Sequence, residues 1–212
     1  MVELALLFPL LLILLSGVIE FGFILNQYLT VMDAARNAAR FASDGLYYQW
    51  DNSTNCNVTR HFYRQTACLV NQELRMEAPE IKLNDNGTPD IPSDDFLDPA
   101  DGNDIIISAF SFTNGQGITD RHPGGDQTGW SYAIDLDQPS DKVSRFTSSD
   151  VTALMSAPDA PNTGYVLVEI FYNYEHRLGL PWITAVVDNP LLIHTYAFMP
   201  LTSAEPTPTP MP

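Results

Sequence analysis

Few residues in this sequence have a type and spacing that could do chemistry. The four histidines, His61, His122, His176 and His194, lack the paired spacing that places two imidazoles on one zinc ion. The two cysteines, Cys56 and Cys68, bracket a short loop that a disulfide closes if the backbone folds back. In an oxidising compartment the disulfide is the expected state; the alternative is a pair of reduced core thiols. The stretch LNDNGTPDIPSDDFLDPADGND gathers Asn84, Asp85, Asn86 and Asp90 around Gly87. Oxygen side chains in a glycine-containing turn are the raw material of a calcium loop. The spacing does not match an EF-hand, so a solvated loop is favoured over a weak extracellular calcium site.

Local signatures of reaction machinery are few, although folding can bring a triad together without one. The sequence contains no glycine-rich phosphate loop, no GxSxG elbow and no HExxH pair. Catalytic and cofactor-binding residues are therefore assigned to none. Two function classes stay open on the residues alone. One is a structural, membrane-anchored subunit; the other is a membrane-anchored hydrolase or ligand-binding module. A pocket with a nucleophile beside a base would favour the second, and a long protruding helix without one would favour the first. Lys and Arg number 10 against 26 Asp and Glu, a net charge of −16. Such a surface repels nucleic-acid phosphates and suits an exterior, a cation or a basic partner.

The remaining charged residues of interest, Glu3 and Glu20, lie at and within an apolar run. From Leu4 to Leu25 the chain reads LALLFPLLLILLSGVIEFGFIL. As a helix this spans about 33 Å, against a bilayer core of about 30 Å. The run is longer than a signal-peptide core and no Lys or Arg precedes it, so a retained anchor is expected. A charge inside a membrane is costly. Glu20, near the far end, either reaches the headgroups or pairs during assembly. Pro9 removes one helix hydrogen bond and is expected to bend the helix.

Helical character continues beyond the membrane. Asn26 to Ser43 contains neither proline nor glycine and is rich in alanine, with Gly45 as a stop. One helix is therefore expected from about Leu4 to Ser43. Ala34, Ala38 and Ala42 share a face, as do Ala35, Ala39 and Ser43. Small residues at this spacing admit either a second helix or the protein's own domain. Asp33 can pair with Arg36. Arg36 and Arg40 after the anchor are at odds with the positive-inside rule, but the cysteines and the acidic domain point outward.

These N-terminal residues carry a resemblance. VELALLFPLLL, then GVIEFG, then DAARNAARFAS resemble, in order and spacing, the signature of the TadE-like pseudopilins of tight-adherence (Tad) pili. The C-terminal segments GYVLVEIFYNY, RLGLPW and LLIHTYAFMPL are also similar to this family. The resemblance implies a single-pass bacterial membrane protein with its domain outside the cytoplasm. It implies a type IV pilin-like subunit whose partners are other pilin-like subunits, the pilus assembly platform and the membrane, not nucleic acid. It places Glu3 at the pilin glutamate, which in that family meets the N-terminal amine of a neighbouring subunit. The sequence departs from family precursors in having only Met1 and Val2 before Glu3, where a short basic leader is usual.

The expected fold is α+β, a long N-terminal helix packed on a small antiparallel sheet. Residues 1–25 form the anchor, 26–200 the extracytoplasmic domain with the helix continuing over 26–44, and 201–212 a Pro/Thr-rich tail. Within the domain a second helix is expected over Thr59–Met76, with Phe62, Leu69 and Leu74 on one side and Pro79 helping to end it. Strands are expected over Asp104–Phe112, Trp130–Leu136, Gly164–Glu175 and Leu191–Phe198. A short helix is expected over Ser148–Met155, capped by Ser148 or Ser149.

Overall fold

The computed structural model describes residues 2–53, 55–78, 80–88, 90–91, 95–125, 128–157 and 160–206, with side chains from residue 7 onward. Its dominant element is α1, Val2–Ala42, a single helix of 41 residues that runs through Pro9. The apolar run and the alanine-rich stretch are thus one rod, as their composition predicts. The helix closes in a turn where Gly45 N–H bonds Ala42 C=O at 2.9 Å. A Cβ on Gly45 would lie 2.7 Å from the Phe62 ring, so glycine lets the next helix begin against this turn.

That helix, α2, spans Phe62–Glu77 and starts three residues later than expected. His61 is its cap, with Nδ1 accepting from Arg64 N–H at 3.2 Å. Its buried face is Phe62, Tyr63, Thr66, Ala67, Val70 and Leu74, the repeat expected of one helix side. Leu69 is only partly buried at its edge. Pro79, expected to help end this helix, lies outside the described residues. Cys56 and Cys68 are disulfide-bonded with Cα atoms 5.6 Å apart. Cys68 sits inside α2, so the bond ties the preceding loop to the body of the helix and not to its start.

The sheet follows. Strands β1 (Asp104–Thr113), β2 (Gly117–His122), β4 (Thr163–Tyr174) and β5 (Leu191–Pro200) run in the order β2-β1-β4-β5, all antiparallel. A two-residue β3, Trp130–Ser131, shares the outer edge of β1 with β2. The expected strand over Trp130–Leu136 is instead this fragment followed by a helical turn, α3 (Tyr132–Asp135). Buried Asp104 redirects the chain: it accepts from Ser131 Oγ and Ser140 Oγ at 2.6 Å and from Ala133 N–H at 3.0 Å. Ser131 then caps Ile134 N–H. The short helix α4 spans Ser148–Met155 as expected, but Thr147 caps it through a capping box with Asp150.

One sheet face carries Ile105, Ile107, Val166, Val168, Ile170 and Ala197 into a core shared with α1 and α2. On the other face Phe110 and Leu167 pack with Val151 of α4. Both alternating sets of β4 are therefore covered. Residues 201–204 also join the domain, because Leu201 and Ala204 are buried on β4. Gly164 makes room for them: a Cβ there would lie 2.1 Å from the Leu201 carbonyl oxygen.

Candidate functional site at the helix–domain junction

The residues of α1 divide by what surrounds them. Leu7, Phe8 and Leu10–Leu15 are all exposed, apolar on every side. From Ser16 onward one stripe turns inward: Ser16, Glu20, Gln27, Val31, Ala34, Ala35, Ala38, Ala39 and Ala42 are buried. Their steps of three, four and seven keep them on one helix face. The alanine stripe is thus covered by the protein's own domain, with α2, β4 and β5 against it. The small side chains let the helix lie close to these elements, and Thr195 Oγ1 reaches the Val31 carbonyl at 3.4 Å. Asn37 and Asn26 add side-chain bonds to Glu73 and Glu80 at 2.9 and 3.0 Å. Asp33 and Arg36 pair at 3.4 Å on the solvent side.

Glu20 is the polar centre of the junction. It is 1% exposed. One carboxylate oxygen accepts from Tyr174 Oη at 2.5 Å and from Arg177 N–H at 2.9 Å; the other accepts from Leu178 N–H at 2.9 Å. These partners lie at the end of β4 and in the loop that follows it. Burial raises the Tyr174 phenol above its ordinary value, and the adjoining carboxylate raises it further, so it remains a donor. Arg177 also donates through Nη2 to the Glu80 carbonyl. His176 closes the base of the loop, its Nε2 lying 3.0 Å from the Asp188 carbonyl oxygen and its backbone N–H bonding Asn189. One turn nearer the apolar end, Trp182 Nε1 donates to Ser16 Oγ at 3.0 Å. The clamp on α1 is therefore built from a carboxylate and a hydroxyl inside the apolar run.

The other candidate residues do not join it. Glu3 lies in the first turn of α1, and its side chain is outside the described residues. Asn84, Asp85 and Asn86 form a tight turn whose oxygens serve its own backbone. Asn84 Oδ1 accepts from Asn86 N–H at 2.8 Å, and Asp85 Oδ1 accepts from Gly87 N–H at 3.0 Å. Asn84 Nδ2 donates to Asp98 at 2.8 Å, while Asp90 is exposed farther along the loop. Among the described residues no group of three or more His, Cys, Asp or Glu is placed to hold a metal ion. A cleft of about 810 Å³ lies beside this turn, lined by Asn84, Phe96, Asp98, Tyr132, Leu136 and Gln138 among others. Its described lining includes no serine or histidine, and its one described cysteine, Cys56, is in the disulfide.

The decisive comparison falls on the helix just described. Residues 1–40 match the family described as TadE-like protein. Over this segment the N-terminal rod is similar to the TadE-like family. No curated protein and no solved structure matches the chain significantly. The TadE-like family is a structural, pilus-associated family of membrane-anchored subunits. The helix is long and apolar enough to cross a membrane. Glu20 and Ser16 fall within the matched segment, so the clamp joins that segment to a domain beyond the match. The clamp could have been anticipated from one signal: Ser16, Glu20 and Gln27, polar residues of an otherwise apolar stretch, lie on a single helix face.

Proposed function

We propose that this chain is a structural subunit that contributes to the assembly or initiation of a Tad-type adhesion pilus. In this reading α1 holds it in a bacterial membrane and the sheet domain lies outside the cytoplasm. The observation that carries the reading is the match of residues 1–40 to the TadE-like family on a helix whose apolar side chains are exposed over Leu10–Leu15. A helix apolar on all sides needs lipid or neighbouring apolar helices around it. The disulfide supports an oxidising exterior for the domain. The partners proposed are other pilin-like subunits and the assembly platform.

Within this reading Glu3 acts in assembly. A carboxylate at the apolar end of packed anchors is costly unless paired, and the amine of a neighbouring subunit would offset that cost. The pairing also sets axial register, because only one offset brings the two charges together. Glu20 contributes differently: it fixes the domain to the anchor, so every subunit presents the same shape to its neighbours. The experiment is Glu3→Ala and Glu3→Gln in cells that make the pilus. The expected result is normal protein in the membrane with loss of filaments. Normal filaments from both variants would overturn the assembly role.

A further inference from the structure

We propose that the segment from Leu178 to Val187, with the short helix α5 (Pro181–Thr184) at its centre, seats in the lipid interface as a second membrane contact beside α1. The inference rests on the reading that α1 spans a membrane. Trp182 is hydrogen-bonded to Ser16, and Ser16 lies nine residues before Leu25, about 14 Å along a helix axis. At these levels the sides of α1 away from the domain are still apolar and open: Val18, Ile19, Phe21, Phe23 and Leu25 are exposed. Lipid that covers those side chains also surrounds the α5 segment, which the Ser16 and Glu20 bonds hold at the same depth.

Between Arg177 and Asp188 the sequence LGLPWITAVV contains no charged residue. Leu178, Trp182 and Val186 are 36%, 44% and 85% exposed. A tryptophan with its ring on the apolar side and its N–H bonded is the side chain favoured at a membrane–water boundary. Backbone polar groups bonded within the protein lower the cost of meeting lipid, and those left over are hydrated at headgroup level. Here Glu20 accepts from Leu178 N–H, and Leu180 C=O accepts from Ile183 and Thr184 N–H. Pro181 C=O accepts from Ala185 N–H, and Ile183 C=O from Val186 and Val187 N–H. The charged side chains closest in sequence, Arg177 and Asp188, flank the segment.

The test uses the full chain reconstituted in phosphatidylcholine vesicles. An environment-sensitive fluorophore is attached at Val186→Cys, with Leu11→Cys as the anchor reference and Val143→Cys as the exposed-domain reference. Two quenchers are compared, bromine on the upper acyl chain and aqueous iodide. The proposal expects Val186→Cys to lose most of its emission to brominated lipid and little to iodide, as Leu11→Cys does, while Val143→Cys behaves oppositely. Quenching of Val186→Cys by iodide alone, with Leu11→Cys still quenched by lipid, overturns the second contact and leaves the anchor intact. Protection of Val186→Cys from both quenchers overturns it too, because protein then covers the segment. Iodide access to Leu11→Cys overturns the anchor reading and the proposal together.

Discussion

Glu20→Ala would leave three donors, the Tyr174 hydroxyl and the N–H groups of Arg177 and Leu178, without an acceptor in a buried setting. Losses of this kind amount to on the order of 3 kcal/mol locally. The Arg177–Leu178 backbone should then open more often and admit protease. Trypsin should cut after Arg177 much faster in Glu20→Ala than in the parent, with Glu20→Gln between them. Equal cleavage rates would mean that the carboxylate does not hold the loop. His61 offers a pH test. Burial depresses its pKa below the ordinary 6.5, the nearby Arg64 adds to this, and Nδ1 must stay unprotonated to accept from Arg64 N–H. The sign follows: stability from neutral His61 is full above the unfolded value and is lost as pH falls through the lower folded value. The thermal midpoint should drop between about pH 7 and pH 5, and the drop should be smaller in His61→Asn. The same slope in both proteins would remove His61 as its source.

The disulfide acts at the scale of elements, because it ties the 56-loop to the body of α2. Its two cysteines are 12 residues apart, so closing that loop contributes about 3 kcal/mol at most. Reduction, or replacement of both cysteines by serine, should lower the thermal midpoint while leaving α1 helical by circular dichroism. An unchanged midpoint would show that the loop is held without the bond. The long helix and the main strands were legible because their signals are local: an unbroken apolar and alanine run for α1, branched and aromatic residues for β1 and β4. What was not legible depended on partners distant in sequence. Trp130, Tyr132 and Ile134 alternate as in a strand, yet Asp104, 26 positions before Trp130, bends them into a turn. Strand β2 reads GITDRH, too polar to suggest a strand, because its buried Arg121 is covered by Phe146 C=O, Ser108 Oγ and the Phe110 ring. Glu20 was visible as an anomaly in the apolar run, but only the fold brings Tyr174, Arg177 and Leu178 to it.

Across the whole molecule, α1 is both a helix able to span a membrane and a core element. Its apolar end is free of the domain, and from Ser16 to Ala42 one face of the helix is buried against it. On the proposed function, this packing fixes the sheet to the helix, which suits a subunit that must enter a regular array. The acidic surface, net −16, would keep isolated subunits apart until their apolar helices pack. The most direct measurement of the central claim is the number of Tad pili per cell, counted by electron microscopy, in cells lacking this chain and in the same cells supplied with it. Filaments should be lost without the chain and return with it. An undiminished filament count in its absence would mean that the chain is not a subunit the pilus needs.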